Sequence, residues 1–395
     1  MNGWNELLSH LAEVPRENGT PAVHQAASYL VEAFRATGIE AQRLPYTAHP
    51  YETRFLGLFV LAVCLLYFFL AQRKRFLTAG LLSLLIPVVV VLDVEFGLPL
   101  FGGLRAERQE NIMARIPTRS SSAKQRLIFT AHYDTKTDLF DHVVRAPIQV
   151  VGLPLCGLMI VAAFTGLAAR IMPSITKSTE RLAKLVGMAA LLYGPAFVLA
   201  FSAGAVLPVR SPGALDDGAA CAVLIRAAAE LGQAPPLEQT DVEIILFSGE
   251  ELGAEGSARY VKARFSERDM LPSYVVNLDP IGASSRLAVT GDDRRLFRSY
   301  RPDPRIVAGL GSVFRQITGS PLSLTSRGGT TDAVSFEARG IPAATLISEV
   351  PPFIIPRGMH TAMDKRSRID LSSLDLTKEL IVRFAREADA NGMKF

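Results

Sequence analysis

The stretch Val242-Glu243-Ile244-Ile245-Leu246-Phe247-Ser248-Gly249-Glu250-Glu251-Leu252-Gly253 is a short apolar run of strand type that stops at Ser-Gly and leads at once into two adjacent carboxylates. Chain that leaves the end of a buried strand is where sheet enzymes place their chemistry. Neighbouring glutamates repel, so one must lie on a cation or the other must carry a proton. An isolated Glu-Glu is ordinarily a solvated pair at a helix start. A metal-dependent enzyme has a use for both: one carboxylate binds the ion, and the other takes a proton from water held there. The pair is therefore judged by its surroundings.

Outward from it, helices alternate with short strands. Downstream of residue 210 the pattern predicts helix 217–232, strand 241–247, helix 255–264, strands 274–279 and 286–290, helix 304–317, strand 342–347 and helix 373–391. Upstream, Val23, Ala27, Tyr29, Leu30, Ala33 and Phe34 recur at helical spacing, with Gly38 as a stop, and predict a helix over 21–38. Strands are expected at 40–47, 111–117 and 126–131. The alternation argues for an α/β sheet covered on both faces.

Of the 395 residues 49% are apolar, and the excess is concentrated in blocks. Two of them, 55–71 and 76–92, are joined only by Gln72-Arg73-Lys74-Arg75; two more, 147–172 and 185–207, flank the polar segment 173–184. A membrane helix needs roughly 17–25 apolar residues, so each block is a candidate span. The expected plan is a soluble domain in three pieces, 1–53, 105–145 and 209–395, interrupted by transmembrane hairpins at 54–104 and 146–208. Both connecting loops are basic: Arg73, Lys74 and Arg75 in the first, and Arg170, Lys177, Arg181 and Lys184 against Glu180 in the second. Basic loops stay in the cytoplasm, which places the soluble pieces together on the opposite side of the four transmembrane helices. Residues 1–53 lack a charged start followed by an apolar core and a small-residue cleavage site, so no cleavable leader is expected. By analogy the compact basic hairpins point to a bacterial inner membrane, with the lipid bilayer as a partner. A net charge of +4 without a basic stripe argues against nucleic acid. Cys64, Cys156 and Cys221 form neither a disulfide framework nor a cysteine zinc site. Nothing in the sequence sets an oligomeric state.

Four further pieces join Glu250-Glu251, each at a strand end or in a loop. They are His132-Tyr133-Asp134, Gly213-Ala214-Leu215-Asp216-Asp217-Gly218, Asp279, and His360-Thr361 after the apolar loop 351–358. Such nitrogen and oxygen donors suit zinc, and two ions about 3.5–4 Å apart would need a carboxylate to bridge them. With these ordered motifs the chain resembles the co-catalytic zinc aminopeptidase family, which includes leucyl-type aminopeptidases, glutamate carboxypeptidases and, as a one-zinc branch, glutaminyl cyclases. The resemblance covers the whole soluble part. It implies the zinc exopeptidase fold, a mixed, mainly parallel sheet sandwiched by helices, and a peptide substrate. It also implies two zinc ions per chain, His132 and Asp279 completing one site, Glu251 and His360 the other, and Asp216 bridging them. Glu250 would be the general base, and Asp134 would orient the His132 imidazole from behind. A cis peptide would precede Asp217. Many relatives have Ser-Asp-His where this chain has Thr331-Asp332-Ala333, so Asp332 is expected beside the site. A tyrosine that several relatives use for the oxyanion is replaced here by Arg327-Gly328-Gly329, which makes Arg327 the substitute candidate and Asp332 its companion in substrate binding.

Three readings follow. The first is a membrane-embedded, extracytoplasmic zinc aminopeptidase. The second is a glutaminyl cyclase, favoured by His132-Tyr133-Asp134-Thr135-Lys136 and Asp279-Pro280-Ile281-Gly282-Ala283, with one zinc on Asp216, Glu251 and His360. The third is a non-catalytic binding or assembly protein, against which the intact donor set argues. Because the second hairpin interrupts the chain between Asp134 and Asp216, tethers of about 30–40 Å at roughly 3.3 Å per residue would keep the site mouth close to the bilayer.

Overall fold

The computed structural model describes residues 3–119, 123–172, 174, 176–265, 271–326 and 328–394. Helices α1 (Trp4–Leu11) and α2 (Pro21–Arg35) precede strand β1 (Ala41–Ala48). An apolar helix α3 (Glu52–Gln72) follows, then α4 (Phe76–Ser83), α5 (Leu85–Val90) and a wider helical turn at Val91–Glu95. Strands β2 (Glu107–Ile116) and β3 (Gln125–His132) lead to the long helices α6 (His142–Ala168) and α7 (Thr176–Phe201). Then come α8 (Ala219–Gln233), β4 (Thr240–Phe247), α9 (Glu255–Arg264), β5 (Ser273–Leu278) and β6 (Leu287–Val289). A small hairpin, β7 (Asp293–Arg294) with β8 (Ser299–Tyr300), precedes α10 (Pro304–Thr318) and β9 (Ser323–Leu324). The chain closes with α11 (Ala333–Glu337), β10 (Ala343–Ser348) and α12 (Leu371–Asn391).

These elements divide into two units. The first is Met1–Ala48, Ala106–Lys136 and Arg210–Phe395; the second is His49–Arg105 and Thr137–Val209. In the first unit the main sheet runs β1-β2-β4-β3-β5-β10-β6-β9. Its centre is parallel, β4 with β3, β3 with β5 and β5 with β10, while β1 pairs antiparallel with β2, β2 with β4 and β6 with β10, and β9 joins β6 in parallel. Successive side chains of a strand point to opposite faces, and the central strands are apolar on both. Leu127, Phe129, Val242, Ile244, Leu246, Val276 and Leu278 pack with α1, α2, α8, α10 and α12. Ile128, Ile245, Phe247 and Val275 pack on the other face against Tyr260 and Val261 of α9 and Phe336 of α11. The mixed sheet between helix layers is the architecture expected. Its parallel centre also aligns the carboxyl ends of the strands: His132 pairs with Phe247, and Thr130 with Asn277.

In the second unit, Leu56, Val60, Val63, Cys64 and Tyr67 of α3 pack against Leu155, Cys156 and Met159 of α6 and Val186 and Ala190 of α7. The buried Tyr67 hydroxyl is satisfied by donating to the Met159 carbonyl at 3.0 Å. Four helical stretches, Glu52–Gln72, Phe76–Glu95, His142–Ala168 and Thr176–Phe201, are long and apolar enough to cross a membrane. The polar segment expected at 173–184 is not wholly a loop, because α7 begins at Thr176. Glu180, Arg181, Leu182, Ala183 and Lys184 are strong helix formers, and Glu180 meets Lys74 at 2.8 Å.

Candidate metal centre

At the carboxyl edge of the parallel strands the five donor candidates converge. His132 is the last residue of β3, and its Nε2 lies 2.9 Å from Asp216 Oδ1 and 3.9 Å from Asp279 Oδ1. On the other side His360 Nε2 lies 2.9 Å from Asp216 Oδ2 and 3.1 Å from Glu251 Oε1. Donor atoms of His132, Asp216 and Asp279 all fall within 4.8 Å of one another, as do those of Asp216, Glu251 and His360. Asp216 belongs to both groups and offers one oxygen to each.

Local backbone explains how Asp216 reaches that position. Gly213 has a φ of +61°, and a Cβ there would stand 2.2 Å from the Thr135 side chain. The Asp216–Asp217 peptide is cis. Asp364, four residues after His360, accepts the amides of Leu215 at 2.8 Å and Asp216 at 3.3 Å, so the loops carrying His360 and Asp216 are tied together. Asp217 accepts the amide of His132 at 3.2 Å. At the end of β4, Gly249 (φ +73°) turns the chain where a Cβ would stand 2.5 Å from the Tyr46 hydroxyl. Tyr46 in turn donates to the Ser248 carbonyl at 2.9 Å.

Asp134 sits beneath the glutamate pair. Its carboxylate accepts the amides of Glu250 at 3.3 Å and Glu251 at 3.2 Å, and the Asn18 side-chain amide at 2.6 Å. The His132 Nδ1 has the Asp134 backbone carbonyl at 3.1 Å and the carboxylate at 3.6 Å. Asp332 is buried beside the site, and neither of its oxygens has a hydrogen-bond partner among the described residues. Arg327 lies outside the described residues. Sequence reasoning did not single out Asp364, Asn18 or Arg16. Asp364 left one signal, a carboxylate at fixed spacing in His360-Thr361-Ala362-Met363-Asp364.

The electrostatics are those of a cation site. Burial pushes the Glu250 and Asp279 carboxyls well above the usual range, and the remaining carboxylates of the cluster add to it against the attraction of His132. Burial also raises Asp217 well above that range, and pushes Asp332 and Asp364 up to about 7. Burial acts the same way on Asp216, but His360 and His132 outweigh it and hold that carboxyl below its ordinary value. Burial opposes the charge on His132, yet Asp134 and Asp216 raise it well above the ordinary imidazole value. Two buried atoms, His132 Nε2 and Glu251 Oε1, lie close to other donor atoms of the cluster, 2.9 Å from Asp216 Oδ1 and 3.1 Å from His360 Nε2, but without well-aligned hydrogen-bond geometry among the described residues. Buried carboxylates in such excess need cations, and donors aimed at a common point supply the ligands. The residues present fit zinc.

Residues 200–385 match the model of Peptidase family M28. Aminopeptidase YwaD of Bacillus subtilis (strain 168) is 31% identical over 192 residues, a match that spans 45% of this chain and 38% of that protein. Among solved structures, a zinc aminopeptidase from Bacillus subtilis superposes with a TM-score of 0.57 at 16% identity, covering 98% of this chain and 94% of that one. A glutaminyl cyclase from Bacteroides thetaiotaomicron gives a TM-score of 0.57 at 12% identity, covering 97% of this chain and 96% of that one. With the sheet, the ordered motifs and these matches together, the chain is similar to the zinc exopeptidases and glutaminyl cyclases, and residues 200–385 carry the match to Peptidase family M28.

Proposed function

We propose that the protein is a membrane-embedded zinc exopeptidase of aminopeptidase type, acting on peptide substrates. The observation that carries this reading is the pair of three-residue donor groups sharing Asp216, with Glu250 next in the chain to one donor. His132 and Asp279 would hold one zinc, Glu251 and His360 a second, and Asp216 both. Zinc, when bound, supplies Lewis acidity that polarises a peptide carbonyl and makes water a nucleophile at neutral pH. Glu250 would take the proton from that water on its carboxylate and hand it to the leaving amine. Asp134 would keep Glu250 and Glu251 in register through their amides, and Asp332 and Arg327 would face the substrate.

The soluble pieces 1–53, 105–145 and 209–395 would form one catalytic domain, and the hairpins 54–104 and 146–208 would cross the bilayer. Supporting this, Leu58, Leu66, Phe69, Leu81, Val151, Leu158, Leu185 and Leu192 expose their side chains on helices whose inward faces are already packed. In water such a surface would be a liability; in lipid it is the required one. The basic loops support a topology in which the catalytic domain lies outside the cytoplasm, and by analogy the membrane would be a bacterial inner membrane.

A second reading is favoured by one feature: Asp216, Glu251 and His360 form a complete three-residue site by themselves. That is the one-zinc arrangement of a glutaminyl cyclase, with Glu250 as acid and base.

Metal content and hydrolysis of aminoacyl-chromophore substrates, on detergent-purified protein beside Glu250→Gln, separate the readings. Two zincs per chain are expected, with turnover falling about 10²–10⁴-fold in the variant while metal is retained. One zinc with activity only on N-terminal glutamine would establish the cyclase. Full activity in the variant would remove Glu250 from the chemistry.

A further inference from the structure

Residues 14–18 carry none of the ligand candidates, yet they reach the loops that do. Arg16 is fully buried. Its Nε donates to the Tyr133 carbonyl at 2.6 Å, Nη1 to the carbonyls of Val14 at 2.9 Å and Pro212 at 2.8 Å, and Nη2 to that of Gly213 at 3.0 Å. Tyr133 stands between His132 and Asp134, and Gly213 opens the turn that presents Asp216. One rigid side chain therefore spans the two loops whose spacing sets the distance between His132 and Asp216. The Arg16 backbone adds a pair of bonds to Thr135, its amide to Oγ1 at 2.8 Å and its carbonyl from the Thr135 amide at 3.1 Å. Two residues further, Asn18 Nδ2 donates to Asp134 Oδ2 at 2.6 Å, the carboxylate that also receives the Glu250 and Glu251 amides. Glu17, between them, is paired with Arg210.

The chemistry of the side chains matches this placement. A guanidinium has five donors in a fixed plane and bridges separated carbonyls without reorganising, whereas a lysine ammonium is a point with three. A buried cation bonded only to carbonyls also gains from negative charge nearby, and the Asp134 carboxylate is among the groups that favour it.

We propose that Arg16 and Asn18 are positioning residues for the metal centre. Arg16 fixes the loop bearing His132 relative to the loop bearing Asp216, and Asn18 fixes the Asp134 carboxylate under the Glu250-Glu251 turn. This rests on the metallopeptidase reading. The test uses full-length, detergent-purified holoprotein, comparing wild type with Arg16→Lys and Asn18→Ala. Zinc affinity is read by chelator competition, ligand geometry by the visible spectrum of the cobalt-substituted protein, and stability by thermal unfolding. Both variants are expected to bind zinc about 10–100-fold more weakly, as when groups behind a ligand are lost. Their cobalt spectra should shift, and kcat should fall with KM little changed. Unaltered zinc affinity and cobalt spectrum in both variants, whatever their melting temperatures, would overturn the proposal. Should Arg16→Lys fail to fold, Asn18→Ala decides, since it leaves the carbonyl contacts of Arg16 in place. A wild-type protein that binds no zinc would remove the metallopeptidase reading, and this one with it. Wild-type binding matched by the variants removes only the positioning role.

Discussion

Glu337, in α11, keeps both carboxylate oxygens buried and without a hydrogen-bond partner among the described residues. Burial, aided by Asp293 and Asp292, pushes its carboxyl up to about 9 from an ordinary 4.5. A raised carboxyl binds its proton in the folded chain and loses it in the unfolded one between those two values. Its contribution to stability is therefore complete below about pH 4.5 and is lost as the pH climbs towards about 9. Glu337→Gln should raise the melting temperature at pH 8 and leave it unchanged at pH 4; equal shifts at both would refute a proton-linked cost. At this scale the donor set was legible in the sequence, because metal chemistry demands particular side chains at strand ends. His132, Asp216, Glu251, Asp279 and His360 announce themselves by type and order. Asp364, Arg16 and Asn18 do not. Two of them act on backbone amides or carbonyls, which any residue type presents, and Asn18 acts on Asp134, a carboxylate already assigned to the His132 imidazole.

The same contrast holds for elements. The strands β3, β4, β5 and β10 fall within a residue or two of expectation, since a strand buried on both faces is a short apolar run bounded by polar chain. Helix α1, the β7–β8 hairpin, β9 and α11 were not read. Each is at most eight residues long and is held by tertiary packing more than by its own periodicity. Helix α12 is the counter-example, long and periodic, and it anchors one face of the sheet. Its Phe384 meets Phe129 of β3 edge-on, with ring centroids 6.4 Å apart and both side chains fully buried. Phe384→Ala should cost about 3–5 kcal/mol of stability in chemical unfolding. A loss under about 1 kcal/mol would mean that α12 does not hold the sheet face, since even small core truncations cost that much.

For the molecule as a whole, the proposed topology has a direct check. The three cysteines, Cys64, Cys156 and Cys221, are buried, so single cysteines placed on the surface can be read above a quiet background. An impermeant thiol reagent added from outside should label a cysteine at Arg301 and should reach Lys74 or Lys177 only after the membrane is opened. Labelling at Lys74 in sealed cells would invert the orientation.

The order of the segments along the chain has a consequence for biosynthesis. Strand β3 lies between β4 and β5, and both of its neighbours are encoded after α7. A ribosome working at roughly 5–20 residues per second leaves the edges of β3 open for several seconds while the intervening helices are made. Residues 200–385 alone would lack β1, β2 and β3, so the matched segment is not a unit that can be cut out and expressed. If the helices insert as they are synthesised, His132 is translated before the second hairpin and Asp216 after it. On the proposed function, the newborn chain then has no complete donor set, and so no hydrolytic activity, until both hairpins have been made.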